Sequence, residues 1–122
     1  MRTIAVIVAL LLAVSSTEAA PICLKGNKPF QLQGDTVEWS MQIKPGADCI
    51  QGLRWSFMQI YSVTIAEHPK HGELVLAGSG FRYFAKQDFS GTDSFALTVT
   101  GKNLREEGKS TIHVMVSRSG AL

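Results

Sequence analysis

The chain has 122 residues, and because the first nineteen read as a removable leader, residues 20–122 are left to fold, the size of one domain. Hydrophobic residues make up 45% and charged residues 18%, a globular balance rather than a disordered one. Twelve Lys and Arg against ten Asp and Glu give a formal charge of +2, too mild to point to nucleic acid, and eleven Gly with two Cys exclude a collagen or a disulfide-dense toxin.

Arg2 opens the chain with a short positive region, and residues 4–14 then run apolar without a break, IAVIVALLLAV. A run of eleven is too short to span a bilayer, which takes about 20 residues. It fits the apolar region of a secretory signal, and the small residues that follow fit its cleavage site. Cleavage after Ala19 puts Thr17 and Ala19 at the two small-residue positions. Cleavage after Ala20 would place Glu18 at one of them and Pro21 just past the cut. No later segment is long and apolar enough to cross a membrane. The expected location is therefore periplasmic or secreted, with no membrane span after cleavage. Cys23 and Cys49 are the only cysteines, and an even count in an exported chain reads as a structural disulfide. The pair is too far apart in sequence for a C-x-x-C redox motif.

Beyond Cys23 the period is two. A weak strand is expected at Phe30–Gln33. Val37, Trp39, Met41 and Ile43 alternate with polar residues, as do Tyr61, Val63 and Ile65. Leu74 and Leu76, then Phe81 and Tyr83, form two short runs, with 77–80 short enough to close a hairpin. Phe95, Leu97 and Val99 alternate again, and so do Ile112, Val114 and Val116. Turn signals separate the runs: Gly34-Asp35, Pro45-Gly46, Pro69 to Gly72, Gly78 to Gly80, Ser90-Gly91 and Gly101 to Asn103. The stretch Gly52 to Ile60 is mixed in period and fits a turn or an irregular strand. About seven short strands at this spacing predict an all-β, antiparallel sandwich in one domain.

Few side chains point to chemistry. His68 and His71 flank Pro69 with Glu67 nearby, but the proline breaks any helix that would align them on a metal, so an exposed turn is expected. His113 falls on the polar side of the last run, and Glu106 with Glu107 form a solvated acidic pair. Asp88 and Asp93 bracket Ser90 and Thr92 in a loop rich in oxygen atoms, yet the spacing of a calcium loop is absent, so turn capping is expected. No G-x-S-x-G, H-E-x-x-H, phosphate-binding or dinucleotide-binding motif occurs. No reaction and no cofactor are expected. Trp39 fits an inward strand position. Arg54 and Trp55, in the irregular stretch near Cys49, mark a candidate binding surface for a sugar or a protein.

Residues 63–117 carry a set of motifs that belong together. They are Pro69-x-x-Gly72, a hydrophobic hairpin from Leu74 to Phe84 with Tyr83 near its end, Phe89-x-Gly91-x-Asp93-x-Phe95, and the valine-rich run Ile112 to Val116. This combination resembles the bacterial Ig-like, cadherin-like repeat of surface and adhesin proteins. The resemblance covers about half of residues 20–122. It implies an Ig-like sandwich, and by their own chemistry Gly72 and Gly91 suit turns that need a positive backbone angle or close packing, while Asp93 suits bonding backbone amides in the turn before its strand. The matching chain here is a single copy, and the stretch 21–58, with both Cys and both Trp, lies outside the match. The expectation for function is a non-catalytic exported module that binds an envelope protein or a polysaccharide, or supports an envelope structure. The alternative is a small secreted inhibitor or carbohydrate-binding protein that uses the loops near Cys49 to Phe57.

Mass analysis of the protein purified from its native compartment should place the N-terminus at Ala20. An intact Met1 in that material would refute the leader.

Overall fold

Alternation fixes which face of each strand is wet, and the structure, a computed structural model, describes residues 23–118. The expected leader and the tail 119–122 lie outside the described residues. Eight strands follow in order: β1 (Cys23–Gly26), β2 (Thr36–Ile43), β3 (Asp48–Gly52), β4 (Gln59–Glu67), β5 (Gly72–Ala77), β6 (Gly80–Ala85), β7 (Thr92–Lys102) and β8 (Glu107–Arg118). No helix occurs among the described residues. The strands form a five-stranded sheet, β1-β2-β8-β7-β4, and a three-stranded sheet, β3-β6-β5.

The two sheets share one apolar core. Trp39, Met41 and Ile43 of β2, Phe95, Leu97 and Val99 of β7, and Ile112, Val114 and Val116 of β8 face inward from the larger sheet. Cys49, Leu74, Phe81 and Tyr83 meet them from the smaller one. The Phe95 ring stacks on Tyr83 at 5.6 Å and meets Phe81 edge-on at 5.3 Å, so three aromatics bridge the layers. Such pairs contribute about 0.5–1.5 kcal/mol each beyond the area they bury.

Four details depart from the expected pattern. The larger sheet is not wholly antiparallel: β2 lies parallel to β8, with Thr36 opposite Thr111 and Ile43 opposite Arg118. A parallel pair needs a long crossover, and the whole chain from β3 to β7 supplies it. Phe30–Gln33 is not a strand. The Asp35 carboxylate accepts the amides of Gln31 and Gln33 at 2.9 and 3.0 Å, which removes them from any ladder, and Leu32 takes a positive φ of 59°. Phe30 and Leu32 are buried all the same. Two short strands, β1 and β3, appear where no alternation marked them. Finally, Tyr61 points outward, half-exposed, although it sits in phase with Val63 and Ile65. The register of β4 shifts between Ile60 and Ser62, and that bulge turns Ile60 inward in its place.

The β5–β6 connection is the two-residue hairpin expected at 77–80, with Gly78 at φ +58°. Cys23 on β1 and Cys49 on β3 are bonded, with Cα atoms 5.9 Å apart, and so join the margins of the two sheets. Reduction should lower the unfolding free energy by about 3–4 kcal/mol in the chain-entropy account of a loop this long. The far-UV spectrum should stay β-rich, because the aromatic bridge lies elsewhere. Denaturant titration with and without reductant checks the loss, and two alkylatable thiols in unreduced protein would contradict the bond.

Candidate functional site

The candidate residues separate onto two ends of the molecule. Because β7 runs from Thr92 to Lys102 and β8 returns from Glu107, Asp93 lies at one end and the β7–β8 loop at the other.

The second end carries Arg54 and Trp55. The β3–β4 connection is pinned by two buried residues, Leu53 and Met58, and Leu53 also donates its amide to the Ser79 carbonyl at 3.1 Å. Between the pins the chain has to reverse, and Ser56 does so at φ +57°, a region non-glycine residues enter at a cost. That turn aims Phe57 into solvent, where it is 77% exposed. Arg54 is also exposed, whereas Trp55 is half-buried and meets Phe30 edge-on at 6.3 Å. The indole N–H of Trp55 is buried and has no protein partner.

The β7–β8 loop stands beside it. Asn103 organises this loop: its side-chain oxygen accepts the amides of Arg105 and Glu106 at 2.8 and 2.7 Å, and its amide nitrogen donates to Gln31 O at 3.1 Å. The backbone closes with Asn103 N to Glu106 O at 2.9 Å. The residue carried at the tip is Leu104, 84% exposed. Trp55, Phe57, Met58, Asn103 and Leu104 wall an open cleft of about 200 Å³, with Gln31 and Gln33 on its rim. Two stiff loops thus present two large apolar side chains on either side of a concave, amide-rimmed surface. This end offers contact chemistry: apolar anchors, side-chain amides and the guanidinium groups of Arg54 and Arg105. The sequence marked Arg54 and Trp55 and put Phe57 at the end of the alternative binding loops, but it did not mark Leu104. The signal for Leu104 was an apolar residue held between Asn103 and Arg105 in a short polar loop.

At the opposite end Asp93, 5% exposed, opens β7. One carboxylate oxygen accepts the amides of Lys70 and Ser94, both at 2.9 Å. The other accepts the His71 amide at 3.0 Å and the Tyr83 hydroxyl at 2.7 Å. Burial by itself would raise the Asp93 carboxyl, but the Lys70 amide, the Tyr83 hydroxyl and the two other amides outweigh it and hold the group below its ordinary value. Tyr83 is pushed well above its ordinary value, by burial first and then by the bond to Asp93. Gly72 has no room for a side chain, since a Cβ there would run into the Tyr83 ring. Gly91 sits at φ +78° in the turn before β7. His68 and His71 are exposed, and among the described residues no three His, Cys, Asp or Glu side chains come together as a metal site. His113 faces Glu38 at 2.8 Å on the outer face of the larger sheet.

Asp93→Ala would leave four donors without their acceptor, one buried and three part-buried, so it should cost about 2–4 kcal/mol. For a domain this size that lowers the melting temperature by more than about 10 °C. Calcium and EDTA should leave the wild type unchanged, because both carboxylate oxygens are already filled by protein donors. The pH dependence has a defined sign. A carboxyl lowered in the fold stabilises above its ordinary value of 3.8 and loses that contribution as pH falls through its folded value. A phenol raised in the fold stabilises below 10.0 and loses its contribution as pH rises beyond that. Thermal melts should therefore show a plateau between these limits and a fall on both sides, with the acid fall smaller in Asp93→Ala.

No family model, no curated protein and no solved structure matches this chain.

Proposed function

We propose that the chain is an exported, non-catalytic Ig-like module that binds another macromolecule through the end formed by residues 53–58 and 103–106. The observation that carries this reading is the pair Phe57 and Leu104, 77% and 84% exposed, each at the tip of a loop braced by its own hydrogen bonds or buried pins. An unpaired apolar residue on a floppy loop would signify little. Preorganised apolar anchors around a cleft are what a binding surface needs, since little entropy is lost when a partner docks.

The strand order supports the Ig-like part. In an Ig constant-type domain, strands B, E and D share one sheet and C, F and G the other. Taking β3 to β8 as B to G gives β3-β6-β5 and β4-β7-β8, the neighbours found in the two sheets. The cleft then lies between the B–C and F–G loops, the pair that shares the antigen-contacting end in variable domains. That correspondence is an analogy of fold. The resemblance to the bacterial Ig-like, cadherin-like repeat points the same way, and the bonded cysteines suit an oxidising compartment.

An envelope protein is the partner class that Leu104 favours, because an aliphatic tip buries well against protein. A polysaccharide is the second reading. It draws on Trp55 and Phe57 beside the amides of Gln31, Gln33 and Asn103, a mixture of flat apolar faces and hydrogen-bonding groups.

The test is a comparison of wild type with Phe57→Ser/Leu104→Ser as immobilised bait in envelope extract, followed by affinity measurement on whatever the wild type retains. Both side chains are exposed, so the melting temperature should stay within a few degrees of wild type. Affinity should fall at least about 30-fold if the two act as hot spots. Equal retention of the same partner by both baits would move the binding surface elsewhere, and retention abolished by Gln31→Ala/Gln33→Ala and by soluble glycan would favour the polysaccharide.

A further inference from the structure

Each sheet has two edge strands, and three of the four edges are blunted. β1 is four residues long, and its Cys23 and Lys25 reach across to β3: Cys23 bonds Cys49, and Lys25 Nζ donates to Ile50 O at 2.7 Å. That ties the β1 and β3 edges together and occupies one edge carbonyl of β3. β4 carries two register shifts, which twist it away from a straight pairing edge. β5 carries no such device. Its six residues pair with β6 in unbroken register, without proline, and Glu73 is its one charge. Among the described residues its backbone makes no hydrogen bond outside that ladder. One face of the strand therefore presents unpaired amides and carbonyls, a template for another strand.

The side chains say the same. Leu76 faces inward opposite Phe81, which is fully buried, yet Leu76 itself is 36% exposed. The sheet simply stops beside it. On the outer face, Val75 is 44% exposed and lies in one row with Arg82 and Ile50, itself 54% exposed. Arg82 is held by Asp48 at 3.4 Å and lies over the Phe84 ring, so the row ends at β5 on an apolar residue rather than a charge.

We infer that β5 pairs with the β5 of a second copy, antiparallel about a two-fold axis through Val75. In that register Val75 meets Val75 on the outer face, Leu74 meets Leu76 on the inner face, and Glu73 meets Ala77. No like charges oppose, and each partly exposed Leu76 gains the neighbour its own sheet lacks. The strand is thus complementary to itself, which is what an isologous interface requires. The two three-stranded sheets become one of six strands. Because the pairing is antiparallel, the β5–β6 turns, and with them the loop ends, point in opposite directions. The dimer bridges two partners instead of clamping one.

Sedimentation equilibrium on the purified full chain tests this. Wild type should show a concentration-dependent monomer–dimer equilibrium. Val75→Lys and Val75→Glu should each sediment as monomers, since the two-fold axis sets like charges face to face. Their melting curves should stay cooperative, because the side chain is half-exposed. An equimolar mixture of the two variants should recover the dimer. Wild type that stays monomeric throughout, or Val75→Lys that still dimerises, would overturn the inference. Failure of the mixture to associate would overturn the register. If wild type is monomeric but an extended peptide binds and is displaced by Val75→Lys, the edge recruits a foreign strand and the second copy is wrong.

Discussion

Burying a carboxylate costs several kcal/mol unless its oxygens are met by donors fixed in advance. The fold meets those of Asp93 from three places at once. Lys70 and His71 come from the β4–β5 connection, Ser94 from β7 itself and Tyr83 from β6 in the other sheet. One side chain thereby fixes where the chain leaves the larger sheet, where it enters the smaller one, and how far apart the two lie. Gly72 belongs to the same unit. The Tyr83 ring occupies the space a side chain would need at 72, and without that ring in place its hydroxyl would not reach Asp93. The Tyr83–Asp93 bond contributes to both shifts, but burial is the larger cause of the raised phenol, and the Lys70 amide leads the donors that hold the carboxyl low against burial.

From that corner the constraint passes into the core through Tyr83, which stacks on Phe95, two residues along β7. Phe81 completes the group from the same face of β6 as Tyr83. With the aromatics seated, β7 and β8 run on to the far end, and the loop between them is held by Asn103 rather than left slack. The rigidity of the candidate binding end is therefore local at its tip and global at its base. A smaller turn does a comparable job near that end. Asp35 accepts Gln31 N, Gln33 N and the Ser110 hydroxyl, and Ser110 in turn accepts Leu32 N. Burial works against that carboxyl, and the Ser110 hydroxyl and the amides overcome it.

Much of this was legible in residue order, for a physical reason. Where a strand is buried on one side only, its side chains must alternate, and β2, β7 and β8 show it plainly. The reading failed where something other than burial decided the backbone. At Phe30–Gln33 two residues do face inward, but a side chain two to four positions ahead took the amides a strand would need. At Tyr61 the alternation was real in the sequence, and a bulge reversed its phase. β3 was hidden because Ile50 faces out and Gly52 carries no side chain. Asp93 was recognisable as a turn residue from Phe-x-Gly-x-Asp-x-Phe. Its donors were not, since three of the four lie 10 to 23 positions away. The exposure of Leu104 was hidden for the opposite reason: a large apolar residue is read as core, and only the Asn103 turn shows that this one is left outside.

The two margins between the sheets are built differently. On one, β1 and β3 are tied by a covalent bond and by the Lys25 ammonium on a β3 carbonyl, so the two edges are held together and one β3 carbonyl is taken. On the other, β4 and β5 have no such tie among the described residues; β4 is bulged and β5 is straight. The core does not need a tie there, because Val63 and Ile65 of β4 and Leu74 of β5 already pack against it. What packing alone does not cover is the outer flank of β5, where Leu76 keeps a third of its surface in water although it faces the core. With one margin tied covalently and β4 bulged, β5 is the one straight apolar edge without a strand partner among the described residues, and the inferred pairing is confined to it. That edge runs along the side of the molecule, while the cleft lies at its end. A contact at one therefore leaves the other free, and the fold can carry both.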